Sequence, residues 1–199
     1  MYTLKVKATL IDSMLGTAPA DKEIYSTYIA SKSPDAKTRE EEIEMIGKTE
    51  YEEKQMTVFR RDNDGNVVIP AYMVKGFFKN AGRALNFKEK NGTKTSSVKA
   101  FIKEIDNRVF VSPDYIKLDF EGDITICQRP LRAQTPQGER VSLASAEQVP
   151  AGTILEFEVT CFTSDGLELV REWLDYGRFN GIGQWHNSGK GRFTWEEIK

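Results

Sequence analysis

GIGQWHNSGKGRF, residues 181–193, is the stretch on which the reading of this chain turns. Its glycines follow the spacing G-x-G-x-x-x-x-x-G-x-G, four of them within residues 181–191. Glycine tolerates positive φ and leaves its backbone N–H unobstructed, so a loop of this kind can lie against a phosphate backbone and present N–H groups to it. Lys190 and Arg192 add positive charge, and Trp185 and His186 add flat rings on which bases stack. The flanking elements exclude two other glycine motifs. A dinucleotide fingerprint needs a strand before the loop and a helix after it, and a Walker loop needs Gly-Lys-Ser/Thr opening a helix. Here GLELVREWLDYG, residues 166–177, reads as a helix capped by Ser164 or Asp165, and RFTWEEI, residues 192–198, reads as a strand. A tight glycine hairpin without a ligand is the alternative reading of the same residues.

Working outward, TILEFEVTC, residues 153–161, is the clearest strand: Leu155, Phe157, Val159 and Cys161 alternate with Ile154, Glu156, Glu158 and Thr160. Residues 3–11 alternate in the same way, with Leu4, Val6, Ala8 and Leu10 on one side. MTVFRRDNDGNVVIP, residues 56–70, reads as a hairpin turning at Asp64-Gly65. AYMVKGFFKNAGRALNF, residues 71–87, is an amphipathic helix with Val74, Phe77, Phe78, Ala81 and Leu85 on its apolar face. A second helix is expected from Ser33-Pro34 to about Gln55, a short one over residues 97–105, and short strands near residues 108–111, 115–118 and 124–127. Residues 129–152 form a long excursion, read as a protruding hairpin or loop. Strands and helices interleave with hairpins, which predicts an α+β fold with helices on one face of a sheet. One domain is expected over 1–199, with insertions at about 13–55 and 128–150.

The composition is that of a globular chain, and its net charge of −2 argues against a strongly basic nucleic-acid binder. Any attraction for nucleic acid must come from local patches. Lys75, Lys79 and Arg83 are spaced by four and form one stripe on their helix, read either as phosphate contacts or as a solvated face. A single histidine and no C-x-x-C pair give no metal site, no cofactor is read, and Cys127 and Cys161 are expected as reduced, buried thiols. The acidic run from Glu40 to Glu53 reads as a solvated helix. No apolar run approaches the roughly 20 residues that span a bilayer, and the alternating N-terminus does not read as a signal peptide; no membrane partner and a cytoplasmic location are expected.

Four segments in order resemble the RAMP superfamily (repeat-associated mysterious proteins), and in particular the backbone subunits of CRISPR effector complexes. They are the opening strand TLKVKATLID (3–12), the helix start IPAYMVKGFFKNAGR (69–83), the strand entry EQVPAGTILEFEV (147–159) and the glycine loop. The chain departs from the pattern at LGTAPADKEIY (15–25), which holds one glycine and no histidine, and at Ala71-Tyr72, Arg83 and Lys190.

The resemblance implies a ferredoxin-like (RRM-like) antiparallel sheet with helical and hairpin insertions. It implies binding of guide-like single-stranded RNA in antiviral defence, with other RAMP-fold subunits or further copies of the chain as partners. The implied RNA contacts are Lys75, Lys79 and Arg83, the excursion residues Arg129, Arg132 and Arg140 as a thumb, and Gly181, Gly183, Trp185, His186, Gly189, Lys190, Gly191 and Arg192. One groove is expected to gather the helix stripe and the loop cations. Stand-alone RAMP endonucleases often use histidine, which makes His186 a catalytic candidate. Some backbone subunits cut with an aspartate after the first strand, a region where Asp21 and Asp35 lie. No acid–base pair is visible, so the reading leans away from an enzyme. Two alternatives stay open: a stand-alone RNA endonuclease, and a mobile-element or phage-borne interaction protein that mimics or caps an effector subunit.

Overall fold

The computed structural model describes residues 1–20, 56–87, 92–135 and 138–198, with 131–142 described through their backbone alone. By its contacts the chain forms two compact units. One comprises Met1–Met14, Arg60–Asp123 and Val149–Lys199; the other comprises Leu15–Phe59 and Ile124–Gln148.

Among the described residues the first unit is a seven-stranded antiparallel sheet with three α-helices. Its strands are β1 (Tyr2–Leu10), β5 (Arg60–Arg61), β6 (Val67–Pro70), β7 (Val109–Ser112), β8 (Tyr115–Asp119), β11 (Ile154–Cys161) and β12 (Phe193–Glu197). The helices are α1 (Ala71–Leu85), α2 (Phe101–Arg108) and α3 (Ser164–Asp175). The strand order is β12-β1-β11-β8-β6-β5, with β7 also paired to β11. Following β1, α1, β7/β8, β11, α3 and β12 gives the βαββαβ succession of a ferredoxin-like core, with β1 central between β11 and β12.

Register explains the layering. Leu4 faces Val159, Val6 faces Phe157, and Ala8 faces Leu155 and Trp195 across the neighbouring strands. Leu4, Val6, Ala8, Leu155, Phe157 and Val159 are all buried under the helices. The opposite face carries Lys5 against Glu158 at 4.0 Å and Lys7 against Glu196 at 2.8 Å. These exposed pairs keep that face polar and contribute little to stability.

α1 packs through Phe78, whose ring centroid lies 5.8 Å from that of Trp173 on α3, and through Phe77, 5.1 Å from Phe193. Leu85, expected in the core, is half-buried near the end of α1. The first N–H of α1 donates to the Asp114 carbonyl (2.8 Å), which takes the place of a side-chain cap after Pro70. The cap of α3 is Thr163, whose hydroxyl accepts from Gly166 N at 3.1 Å, rather than Ser164 or Asp165. Thr163 is the last extended residue, and the two expected caps already lie within the helix.

The predicted hairpin of residues 56–70 forms only in part. Arg60–Arg61 pairs with Val67–Val68, and Gly65 takes φ 82°. The turn is held by Asp62, which accepts from Asn66 Nδ2 and from the N–H groups of Asn66 and Asp64. These bonds, the Asn66 side chain foremost, hold the Asp62 carboxyl below its ordinary range. The residues from Thr57 to Phe59 belong to the second unit.

In that unit β3 (Ala18–Pro19) pairs with β4 (Thr57–Val58), and β4 runs parallel to β10 (Gly138–Val149). β10 forms a long antiparallel ribbon with β9 (Thr125–Thr135), and β2 (Met14–Leu15) lies next to β10 among the described residues. The long excursion is thus a regular two-stranded ribbon. The helix expected up to Gln55 lies outside the described residues.

A polar network ties residues 94–97 to α3. Thr95 is fully buried; its hydroxyl accepts from Trp173 Nε1 at 2.9 Å and donates to Glu172. Glu172 also accepts from the N–H groups of Lys94 (2.7 Å) and Thr95 (2.9 Å). Thr95→Val keeps the shape but strands the buried indole N–H. A loss of about 1–3 kcal/mol is expected in urea unfolding, with Thr95→Ser retaining most of the stability.

Both cysteines are free. Cys161 is buried as expected, whereas Cys127 is only half-buried on the ribbon. Burial pushes the Cys161 thiol up to about 11, so it stays protonated at any pH well below that value. At pH 8 a thiol reagent should label the native protein at Cys127 alone, and at both cysteines once the chain is unfolded.

Candidate nucleic-acid interface

The stripe on α1 exists, and its two lysines are tethered. Lys79 Nζ meets Asp106 Oδ1 at 2.5 Å, and Lys75 Nζ donates to the Asp106 carbonyl at 3.3 Å. That carbonyl belongs to the last turn of α2, where unpaired carbonyls and the negative end of the helix dipole attract a cation. Lys75 also lies 5.7 Å from the centre of the Phe110 ring. Arg83 is exposed and has no polar partner among the described residues.

The glycine loop is a crossing of two backbone segments. Ile182 N donates to Gly191 O at 3.0 Å, and Gly191 N donates to Ser13 O at 2.9 Å. A Cβ on Gly181 would stand 2.2 Å from the Gly191 carbonyl carbon, and one on Gly191 would stand 2.1 Å from Ile182 O. Only glycine permits this approach, and Gly191 also needs φ 69°. Ile182 anchors the crossing in the core at 1% exposure.

Beyond the crossing, Trp185 adopts the left-handed region and is 40% exposed. A turn over His186–Ser188 follows, closed by Ser188 N to Trp185 O (2.9 Å) and Gly189 N to His186 O (3.0 Å). The N–H groups of Ile182, Ser188, Gly189 and Gly191 are therefore used inside the fold. Gly183 and Gly189 take φ 93° and 91°. His186 is half-buried, and its Nδ1 donates to the Gly183 carbonyl at 2.9 Å, which leaves Nε2 as the acceptor of the neutral ring.

The loop cations turn back onto the end of β1. Lys190 Nζ donates to Ser13 Oγ at 2.6 Å, and Arg192 Nε donates to Asp12 Oδ2 at 2.8 Å. At 100° per residue, Lys75 and Lys79 lie about 160° around α1 from Phe77, and it is Phe77 that reaches Phe193, next to the loop. Lys75 and Lys79 thus lie away from the side of α1 that meets Phe193.

The remaining candidates lie elsewhere. On the ribbon, Arg129 stands opposite Ala144, Arg132 opposite Val141 and Arg140 opposite Ala133; Arg129 is half-buried. Asp21 and Asp35 lie outside the described residues. Among the described residues no group of three or more His, Cys, Asp or Glu side chains could hold a metal ion. No described helix is long and apolar enough to cross a membrane.

Sequence reasoning missed one feature. Phe110 and Phe162 lie with ring centroids 5.5 Å apart, each 46% exposed. The strand period carried the signal, because Phe162 continues the polar side of β11 set by Thr160, and Phe110 faces Thr160 across the ladder.

No protein-family model and no curated protein matches the chain by sequence. Its fold is similar to that of a chain in the cryo-EM structure of the Type III-B Cmr-beta bound to cognate target RNA, with a TM-score of 0.51 and 11% identity. The match covers 99% of this chain and 58% of the other, so the chain spans little more than half the length of that neighbour.

The crossing yields a graded prediction. Gly191→Ala meets both the Ile182 carbonyl and a left-handed φ, whereas an added Cβ at Gly189 has nothing nearer than 3.5 Å. Gly189→Ala should cost about 1–2 kcal/mol, and Gly191→Ala clearly more, as read from urea midpoints.

Proposed function

We propose that the chain is an RNA-binding protein of RAMP type, resembling a CRISPR effector backbone subunit, that holds single-stranded RNA without cutting it. The observation that carries the reading is the likeness of fold along 99% of the chain to a chain of an RNA-bound assembly. The four ordered sequence segments support it independently. The whole of 1–199 then acts as one RAMP-like domain with two insertions.

The contacts we assign on the first unit are Lys75, Lys79 and Arg83 on α1, and the glycine loop with Trp185, His186, Lys190 and Arg192. On the second unit they are Arg129, Arg132 and Arg140. Phosphates meet the cations and bases stack on exposed rings, with little sequence readout. Guide-like RNA and further RAMP-fold subunits, or copies of this chain, are the partners, in antiviral defence. His186 offers an acceptor Nε2 but has no carboxylate or second base assigned to it, so its role is binding.

One observation favours a second reading, that of an interaction protein that mimics or caps an effector subunit. Of the five helix and loop cations, Lys75, Lys79, Lys190 and Arg192 are already held by groups of the same chain.

Asp106 separates the two readings. Under the RNA reading, Asp106→Asn releases Lys79 and should tighten binding of a labelled single strand and steepen its salt dependence. Arg83→Ala should weaken binding and reduce the slope by about one. Fluorescence anisotropy across a salt series measures both. A wild-type protein that binds no single strand at low salt overturns the RNA reading in favour of the interaction protein.

A further inference from the structure

A cavity of about 270 Å³ opens in the first unit between the end of α2, the start of β7 and the start of α3. Its wall includes Val109, Cys161, Leu169 and Trp173, which are apolar and buried. Its polar lining is Glu104, Arg108, Thr163 and Asp165. Phe162 also lines it and is in ring contact with Phe110, over which Lys75 is placed.

From this arrangement we infer that the cavity and the Phe110–Phe162 pair form a seat for one unpaired nucleobase of a single strand, a deepening that rests on the RNA-binding reading. The chemistry selects the occupant. Two half-exposed phenyl rings in contact offer a π face to a planar ring, and stacking of this kind is independent of sequence. The adjoining groups are mixed in sign: Glu104 accepts from Arg108 at 2.9 Å, with Asp165 and Thr163 beside them. A phosphate would be repelled by the two carboxylates. An aliphatic side chain from a partner would desolvate the carboxylates and the guanidinium without pairing them, which is costly. A base satisfies both demands, because its face is apolar and its edge carries donors and acceptors. Lys75, 5.7 Å from the centre of the Phe110 ring, is placed for the neighbouring phosphate.

The test compares an oligoadenylate with an abasic strand of the same phosphate count, by anisotropy on the full chain. Phe162→Leu keeps apolar volume and removes the π face; Phe162→Trp restores a larger one and supplies a fluorescence signal that a stacked base quenches. The wild type should prefer the base-bearing strand. Phe162→Leu should cut that preference by about ten- to a hundredfold at an unchanged salt slope, and Phe162→Trp should restore it with quenching. A preference unchanged in Phe162→Leu, in protein with wild-type thermal unfolding, overturns the seat and leaves the RNA reading intact. A wild type that binds neither strand overturns both. If Phe162→Leu alters the oligomeric state while the preference stays fixed, a protein side chain fills the seat and the inference is likewise overturned.

Discussion

Three neighbouring strands share one parity, and the rest of the first unit is arranged around that fact. Leu10, Ala8, Val6 and Leu4 on β1 are in register with Phe193 and Trp195 on β12 and with Leu155, Phe157 and Val159 on β11. A slip of one residue in any of the three would send lysines and glutamates inward and the core outward. Parity therefore fixes which face receives α1 and α3 and which stays open to charged cross-strand pairs. It also fixes the outward position of Phe110, which stands opposite Thr160. An exposed aromatic ring is thus a consequence of how the core is phased.

The glycine loop has a similar origin. Its outer pair, Gly181 and Gly191, is required by the close passage of two backbone segments, and the N–H groups near them are bonded within the fold. The loop is anchored by Ile182 and Phe193 and by the turn of Lys190 and Arg192 onto Ser13 and Asp12. What it offers outward is the Trp185 ring, held by a left-handed backbone. A motif that reads as a phosphate cradle is here first a structural crossing that presents an aromatic side chain.

The parts legible in the sequence were those fixed by local patterning. β1 and β11 follow from alternation, α1 from its apolar face, and the turn at Gly65 from a residue that tolerates φ 82°. What was not legible depends on partners distant in sequence. Residues 57–61 read as one strand, but Phe59 is buried and its N–H donates to the Glu147 carboxylate at 2.7 Å, so the strand breaks there into β4 and β5. The attachment of residues 94–97 to α3 rests on Glu172 and Trp173, nearly eighty positions away, which no window of sequence reveals. The same holds for the candidate site. The spacing of Lys75, Lys79 and Arg83 placed them on one stripe, yet only the fold brings Asp106 against two of them. The ribbon arginines were located in an excursion whose strand character follows from a register that their own local sequence does not determine.

These pairings bear on how an acidic chain could hold RNA. Affinity from phosphate contacts arises when a cation displaces condensed counterions, and a lysine already held by Asp106 or an arginine already held by Asp12 contributes less than a free one. The overall charge of −2 adds no long-range attraction. Under the proposed reading, RNA binding on this unit would depend more on stacking than on charge. Stacking needs exposed rings kept in fixed orientations, and the fold supplies them in two places, at Trp185 and at Phe110 with Phe162. Trp185 sits on a left-handed turn, and Phe110 and Phe162 lie in ring contact at the end of the β7–β11 ladder. If the chain binds RNA as proposed, the entropy of ordering those rings is met in folding rather than in binding, which lets a small number of contacts count for more.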